Sequence, residues 1–508
     1  MKQRFTGLGL FIALTSCGLI AFAETSRTEI IGKGTEWESK VHVRDSGIPG
    51  PTVMMIGGIH GNEPAGAQAA EQIRHWPLAK GKFIAIPRAN VAALGKRIRY
   101  IPEAPENQRD LNRNFPGEQL DDGTRGKLAA ALWMQVLKHK PDWLFDLHEG
   151  YQFHGSHQPK PGREKSVGSS IIYDRGELDP LVNRMLAAAN KTVTNPKRKF
   201  VSIGRGPKRT GLVSAAIRFL NIKGMILETT YQYQRLPIRT RQHRAMMNVA
   251  LQHVGLIDRD CVDVMAPTDP QGQLYIGLYD GTGSSARGVS NVVNSLTMQP
   301  GFTVSQLGPK DIRGEILSQF QAVIFSGGSG SKQAATIGKE SAKAVRSYVK
   351  SGGGYLGICA GAFLCSAHYS WSLGLVDTHV FTGAREIEGV GRKQMWYRGK
   401  GTDQKMQLTE AGKKLFADIP EHVDVRYQNG PIVSPKNLPG LPNYKVLAYF
   451  RSEKVLYPPQ KGTMINTPAI VEGEFGDGRV VSISPHPEAT RGLESIIATA
   501  VRAIARKR

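Results

Sequence analysis

The chain has 508 residues, too many for a single hydrophobic core, so two or more units are expected. With 40% hydrophobic and 21% charged residues the composition is globular, and nothing in the body of the chain approaches a membrane span. Lys and Arg outnumber Asp and Glu by 66 to 43, a net charge of +23 that points to anionic partners or to a solvated basic surface.

In chain order, Lys2 and Arg4 precede the apolar stretch from Leu8 to Ile20, and Ala21-Phe22-Ala23 fits a small-residue cleavage site. Residues 1–23 therefore read as a signal peptide, with the mature chain starting near Glu24. Leu14-Thr15-Ser16-Cys17 offers a lipoprotein processing site as the alternative. An exported chain rarely meets nucleic acid, so wall polymers, membrane headgroups or acidic substrates are the expected partners of the positive charge. Cleavage after Ala23 leaves Cys261, Cys359 and Cys365. An odd count leaves at least one thiol free or paired between chains.

Residues 24–258 read as one α/β unit. Strand candidates Val53–Ile56, Phe83–Ile86, Leu144–Leu147 and Met225–Leu227 alternate with helical stretches Ala65–His75 and Lys127–Lys138. That alternation predicts helices packed on a largely parallel sheet. The first strand runs into His60-Gly61-Asn62-Glu63, and Pro64 follows, suited to a first helical position. On such a strand-to-helix turn His60 and Glu63 can converge on one ion. Asp110-Leu111-Asn112-Arg113-Asn114 comes next, where Arg113 offers a planar fork for a carboxylate and Asn112 a neutral donor. Trp143-Leu144-Phe145-Asp146-Leu147-His148 is a strand ending in a histidine. Two histidines and a glutamate, with a fourth position left to water, make a catalytic rather than a structural zinc set. Glu149 should point to the other side of its strand, to the surface or to an outer shell. The basic segment from Tyr151 to Lys165, with His154 and His157, reads as a substrate-facing loop. Glu228 ends the strand Gly224-Met225-Ile226-Leu227 and is placed to act as general base.

Residues 259–272 are polar, carry two prolines and read as a linker. From 273 to 508 a second α/β unit is expected, with strands Leu274–Tyr279, Ala322–Phe325, Tyr355–Ile358 and Val480–Ile483 and helical stretches such as Lys339–Lys350. Its strongest signal is Gly357-Ile358-Cys359-Ala360-Gly361, a strand-to-helix elbow that presents a thiol. A helix N-terminus favours thiolate. Ser484-Pro485-His486-Pro487-Glu488 could supply a base and the carboxylate that orients it. Gly327-Gly328 could offer backbone N–H groups to an oxyanion. Cys365 reads as a small core residue.

The first constellation resembles the zinc carboxypeptidase family, and within it the branch of succinylglutamate desuccinylase and aspartoacylase. The resemblance rests on His60, Glu63, Asn112 to Asn114, His148 and Glu228, and covers most of 50–250. It implies zinc as cofactor, Glu228 as general base, Asn112 and Arg113 gripping a substrate carboxylate, and an upstream arginine, Arg99 or Arg109, stabilising the oxyanion. The second half resembles the class I glutamine amidotransferase fold, and in particular the amidotransferase-like domain at the N-terminus of some biotin–protein ligases. The residues that carry this are the Cys359 elbow, His486-Pro487-Glu488, the Gly-Gly turn and Tyr427-Gln428-Asn429-Gly430-Pro431. It implies a flavodoxin-like domain with a Cys359–His486–Glu488 triad. No synthetase unit is visible to use released ammonia, so a thiol hydrolase or an inert binding domain fits better than glutamine hydrolysis.

The expected whole is an exported zinc metallocarboxypeptidase-type hydrolase that cleaves an amide bond near a free carboxylate in a peptide or wall-peptide fragment. The alternatives are an N-acyl amino acid amidohydrolase, a non-catalytic binder of anionic wall polymers, and a protein whose main chemistry lies at Cys359.

Overall fold

The computed structural model describes residues 24–117, 123–204 and 211–507, so the expected signal peptide and Cys17 lie outside the described residues. The protein is mixed α/β, built on two large sheets. The first has eight strands: β1 (Thr25–Ile31), β2 (Ser39–Asp45), β3 (Thr52–Gly57), β4 (Lys82–Ile86), β5 (Trp143–Gly150), β6 (Ser170–Tyr173), β7 (Val201–Gly204) and β8 (Lys223–Thr230). Their order is β1-β2-β4-β3-β5-β8-β6-β7. The centre, β4-β3-β5-β8, is parallel. Those strands are covered on both faces, which is why they read as unbroken apolar runs. Along β3, Val53 and Met55 join one core with the helices Pro64–Ile73, Asp179–Asn190 and Leu236–Val254. Met54 and Ile56 join a second core with Lys127–His139 and Leu212–Leu220.

The margins depart from the expected parallel pattern. β2 pairs antiparallel with both β1 and β4, and β6 pairs antiparallel with β8 but parallel with the edge strand β7. β1 and β2 are largely exposed on one side, so their alternating polar sequence carries no apolar run to betray them.

The second sheet starts with β9 (Leu274–Tyr279), β10 (Phe302–Leu307), β11 (Ala322–Phe325) and β12 (Gly354–Ile358), and gains the strand Gly478–Ile483 beside β12. These five are parallel, in the chain order 2-1-3-4-5 of a doubly wound fold. Four antiparallel strands, Pro468–Phe475, Lys445–Phe450, Thr402–Leu408 and His422–Tyr427, extend it to nine. The helical stretch Lys339–Lys350 is the second half of Gly330–Lys350, which kinks at Gly338 with φ 77°.

The middle of the segment 259–272 is packed, while its two ends are exposed. Cys261, Met265 and Ala266 are buried, and the Trp76 indole donates to the Val264 carbonyl at 2.9 Å. The helix Leu236–Val254 joins the two halves through Arg244, which is fully buried. Its Nη1 donates to Gln72 Oε1 at 2.8 Å, and its Nη2 lies 3.4 Å from Asp311 Oδ1. Gln72 donates in turn to Ser305 of the second half at 3.2 Å. A buried guanidinium is tolerable only with such partners. No helix among the described residues is long and apolar enough to cross a membrane.

A candidate metal centre and a candidate thiol site

The first site forms where β3, β5 and β8 end, at the carboxyl edge of the parallel strands. Glu63 caps the helix Pro64–Ile73 with Pro64 in its first turn. Glycine is required on both sides of this turn. A Cβ on Gly61 would lie 2.0 Å from the Ala93 carbonyl carbon, and one on Gly66 would lie 2.2 Å from the Leu147 carbonyl oxygen. The turn is thereby pressed against β5, whose His148 is in register with Glu228 of β8.

His60, Glu63 and His148 come together. Each can offer one ligand atom, and those atoms lie within 4.8 Å of one another. All three residues are buried, at 3% exposure each. His60 Nδ1 faces Glu63 Oε1 at 2.8 Å, and His148 Nδ1 faces Glu63 Oε2 at 2.9 Å. The opposite ring nitrogens are held by carboxylates: His60 Nε2 by Asp110 at 3.1 Å, His148 Nε2 by Asp146 at 2.8 Å. Such outer carboxylates fix the tautomer and leave the inner nitrogen free to bind a metal. Two imidazoles and a carboxylate, buried and oriented in this way, fit zinc.

Asp110 and Asp146 are not part of the expected zinc set. Asp146 did leave a signal, a charged residue inside an apolar strand, two positions before His148 and so on the same face. Asp110 stands beside the Asn-Arg-Asn segment but is brought to His60 only by the fold.

Burial alone would raise the Glu63 carboxyl, but His60 and His148 hold it well below the usual range. Burial would lower His148, and Asp146 and Glu63 raise it well above its usual value. Glu228 is 7% exposed, and its Oε2 has no hydrogen-bond partner. Burial pushes its pKa up to about 8.

The two arginine candidates separate. Arg99 donates to Glu63 Oε1 at 3.0 Å and to Asp110 Oδ2 at 3.3 Å. Arg109 pairs with Glu106 and lies over the Tyr100 ring, apart from these residues. Asn112 turns inward: its Oδ1 accepts from Leu212 N at 3.0 Å, and its Nδ2 lies 3.5 Å from His148 Nε2. Arg113 is exposed and donates to the Asn112 carbonyl at 2.9 Å.

Glu149 points away from this cluster, as the strand alternation requires, but it is not on the surface. It is buried, accepts from Ala65 N at 2.7 Å and pairs with Arg239. His154 and His157 both engage Ser166, which folds the basic loop back on itself.

The second site lies at the carboxyl edge of β11, β12 and Gly478–Ile483. Cys359 sits between β12 and the six-residue helix Ala360–Cys365 with φ 50° and ψ −96°. A non-glycine residue with positive φ is strained, and here the strain turns the thiol out of the sheet. A Cβ on Gly361 would lie 1.9 Å from the Phe325 carbonyl oxygen, so the elbow needs glycine there. His486 Nδ1 contacts Glu488 Oε1 at 2.8 Å, and Cys359 is close enough to act on the charge of its ring. Burial would lower the His486 pKa, but Cys359 and Glu488 outweigh it and raise it to about 10. A Cβ on Gly327 would approach His486 Cε1 to 3.0 Å and Cys359 Cβ to 3.8 Å, so the Gly-Gly turn abuts both residues. The Gln428 carbonyl of the Tyr427–Pro431 loop lies 3.7 Å from Cys359 Sγ. All three described cysteines are free and buried. Burial pushes Cys365 up to about 12, in keeping with an inert core thiol.

A family model described as succinylglutamate desuccinylase/aspartoacylase catalytic domain matches residues 49–158. One described as biotin-protein ligase, N terminal, matches residues 274–504. The N-alpha-acetyl-L-2,4-diaminobutyric acid deacetylase of Halomonas elongata is 33% identical over 106 residues, covering 20% of this chain and 29% of that protein. Among solved structures, the mDAP-bound D,L-carboxypeptidase Csd4 of Helicobacter pylori is 18% identical, covering 41% of this chain and 52% of its own, with a TM-score of 0.34. A succinylglutamate desuccinylase/aspartoacylase from Rhodobacter sphaeroides is 21% identical, covering 46% and 66%, with a TM-score of 0.32. The chain thus spans under a third of the curated relative it matches and about half of the carboxypeptidase structure.

Proposed function

We propose that the first half is a zinc-dependent hydrolase that cleaves an amide bond near a free carboxylate, with a peptide as substrate. The observation that carries this is the paired arrangement of His60 and His148. Both turn Nδ1 to Glu63 while Asp110 and Asp146 hold their far sides. Zinc held by His60, Glu63 and His148 would polarise the substrate carbonyl and acidify a water molecule. Glu228, buried and with one oxygen unpartnered, would accept a proton from the attacking water and pass it to the leaving nitrogen. Arg99, already turned toward Glu63, lies where it can stabilise a developing oxyanion. Arg113, exposed beside Asn112, is the fork for the substrate carboxylate. Asn112 contributes mainly by holding Leu212 and His148 in place, since both its polar atoms face inward.

The N-acyl amino acid reading has a specific support, the local likeness to a deacetylase of N-acetyl diaminobutyrate. Peptide hydrolysis is preferred because the basic segment from Tyr151 to Lys165 follows directly on the strand that carries His148 and leaves Lys160 and Arg163 exposed. The expected signal peptide would take the protein out of the cytoplasm. In the second half, Cys359, His486 and Glu488 form a thiol triad for amide or peptide hydrolysis.

The test is Glu228→Gln in the zinc-loaded protein, measured on free-acid peptides and N-acyl amino acids. The expected result is retained zinc with hydrolysis reduced about 10³-fold. Substantial activity in that variant would reject the base, and cleavage of N-acyl amino acids alone would replace peptide as the substrate.

A further inference from the structure

Beyond the metal cluster, β5 and β8 continue side by side into a cavity of ≈ 420 Å³. Gln152 and Gln232 form its floor, and Ser156, His157, Lys160 and Arg163 of the basic loop form its wall. The two cationic side chains are exposed, and no acidic residue lines the cavity. The loop is held rather than trailing: Ser166 Oγ donates to the Gln152 carbonyl at 2.6 Å, and His157 Nδ1 accepts from Ser166 N at 2.7 Å.

The strand register sets the distance from the reacting centre. His148 and Glu228 are register partners. The two chains stay joined just past the strand ends, with Tyr231 N bonded to the Gly150 carbonyl and Gln232 N to the Tyr151 carbonyl, each at 3.2 Å. Gln152 and Gln232 each lie four residues beyond the partnered pair. Counted at about 3.3 Å per residue, Gln152 and Gln232 lie at most about 13 Å from His148 and Glu228, since β5 and β8 end at Gly150 and Thr230 and the chain bends beyond them. An extended peptide covers that span in up to about four residues, whereas a single acetylated amino acid covers only about half of it.

We infer that this cavity is a distal subsite for a carboxylate carried by the peptide substrate, about three to four residues from the cleaved bond. Lys160 and Arg163 supply the positive charge, and Gln152 and Gln232 supply amide contacts to the peptide. The inference rests on the hydrolase reading for its substrate and deepens it, because it selects an acidic oligopeptide over a small N-acyl amino acid.

The probe is a set of fluorescent alanine hexapeptides in which one Glu is walked through the sequence, each matched with a Gln peptide. Binding is read by anisotropy to zinc-loaded Glu228→Gln protein, with and without Lys160→Gln and Arg163→Gln together. Cleavage of the same peptides is read with wild type. The expected result is about fivefold tighter binding for Glu over Gln at one position of the series, lost in the double variant while zinc content and Gln-peptide affinity stay unchanged. No Glu preference at any position, or a preference that survives the double substitution, overturns the subsite. If wild type cleaves the peptides without such a preference, the hydrolase reading stands and the subsite falls. If nothing is cleaved but the preference appears and is lost in the double variant, the subsite stands and the hydrolase reading falls.

Discussion

The two candidate sites share one architectural position and reach it by different physics. Each lies at the carboxyl edge of parallel strands, on a strand-to-helix turn that only glycine lets pack so closely, Gly66 in one and Gly361 in the other. The first is organised by charge: two histidines are clamped between carboxylates in a buried cluster. The second is organised by the backbone: Cys359 is held at φ 50° and meets His486 there. Charge organisation suits an ion that several side chains must share. Backbone strain suits a single nucleophile that must protrude.

The sharpest break of this comparison is chemical. Glu228→Gln should abolish amide hydrolysis of free-acid peptides by about 10³-fold, whereas Cys359→Ala should leave that activity unchanged. The reverse pattern, seen in initial rates with and without chelator, would move the main chemistry to the second half.

The next effect concerns the joint between the halves. Arg244→Met removes the buried partner shared by Gln72 and Asp311, leaves Asp311 with Arg241 at 3.6 Å and the Gly308 N–H at 2.8 Å, and should cost about 2 kcal/mol of stability, measured by urea unfolding. A loss below about 0.5 kcal/mol would mean that the joint is carried by apolar contacts instead.

Within the metal site, Asp146→Asn removes the carboxylate behind His148. Zinc affinity should fall about 10- to 100-fold in chelator competition, with the fold intact by circular dichroism. Unchanged affinity would show that Asp146 does not orient the ligand.

At the thiol site the expected effect is smaller and depends on pH. The folded pKa of His486 is raised to about 10, above an unfolded value of about 6.5. A raised pKa stabilises the fold below the unfolded value, and that stabilisation is lost as pH rises through the folded one. The stability advantage of wild type over His486→Gln should therefore be full below about pH 6.5 and fade towards pH 10. An advantage that grows with pH would contradict an imidazolium held by Cys359 and Glu488.

The central strands were legible because burial on both faces leaves nearly pure apolar runs, such as Val53–Ile56 and Ala322–Phe325. The antiparallel strand Thr402–Leu408 was not, because Asp403, Gln404 and Lys405 break the apolar pattern. His60, Glu63 and His148 could be paired in advance since the first two sit on the turn after one recognisable strand and the third lies near the end of another. The meeting of Asp110 with His60 could not, because fifty residues of chain separate them and only tertiary folding brings them to 3.1 Å. The inward turn of Asn112 was equally hidden, since it depends on Leu212, a hundred residues later.

The most direct measurement is the zinc content of purified protein by elemental analysis, wild type beside His148→Ala. The account predicts about one zinc per wild-type chain and almost none in the variant. Wild-type protein refolded or expressed with ample zinc that still holds no transition metal, or a variant that holds as much as wild type, would contradict it.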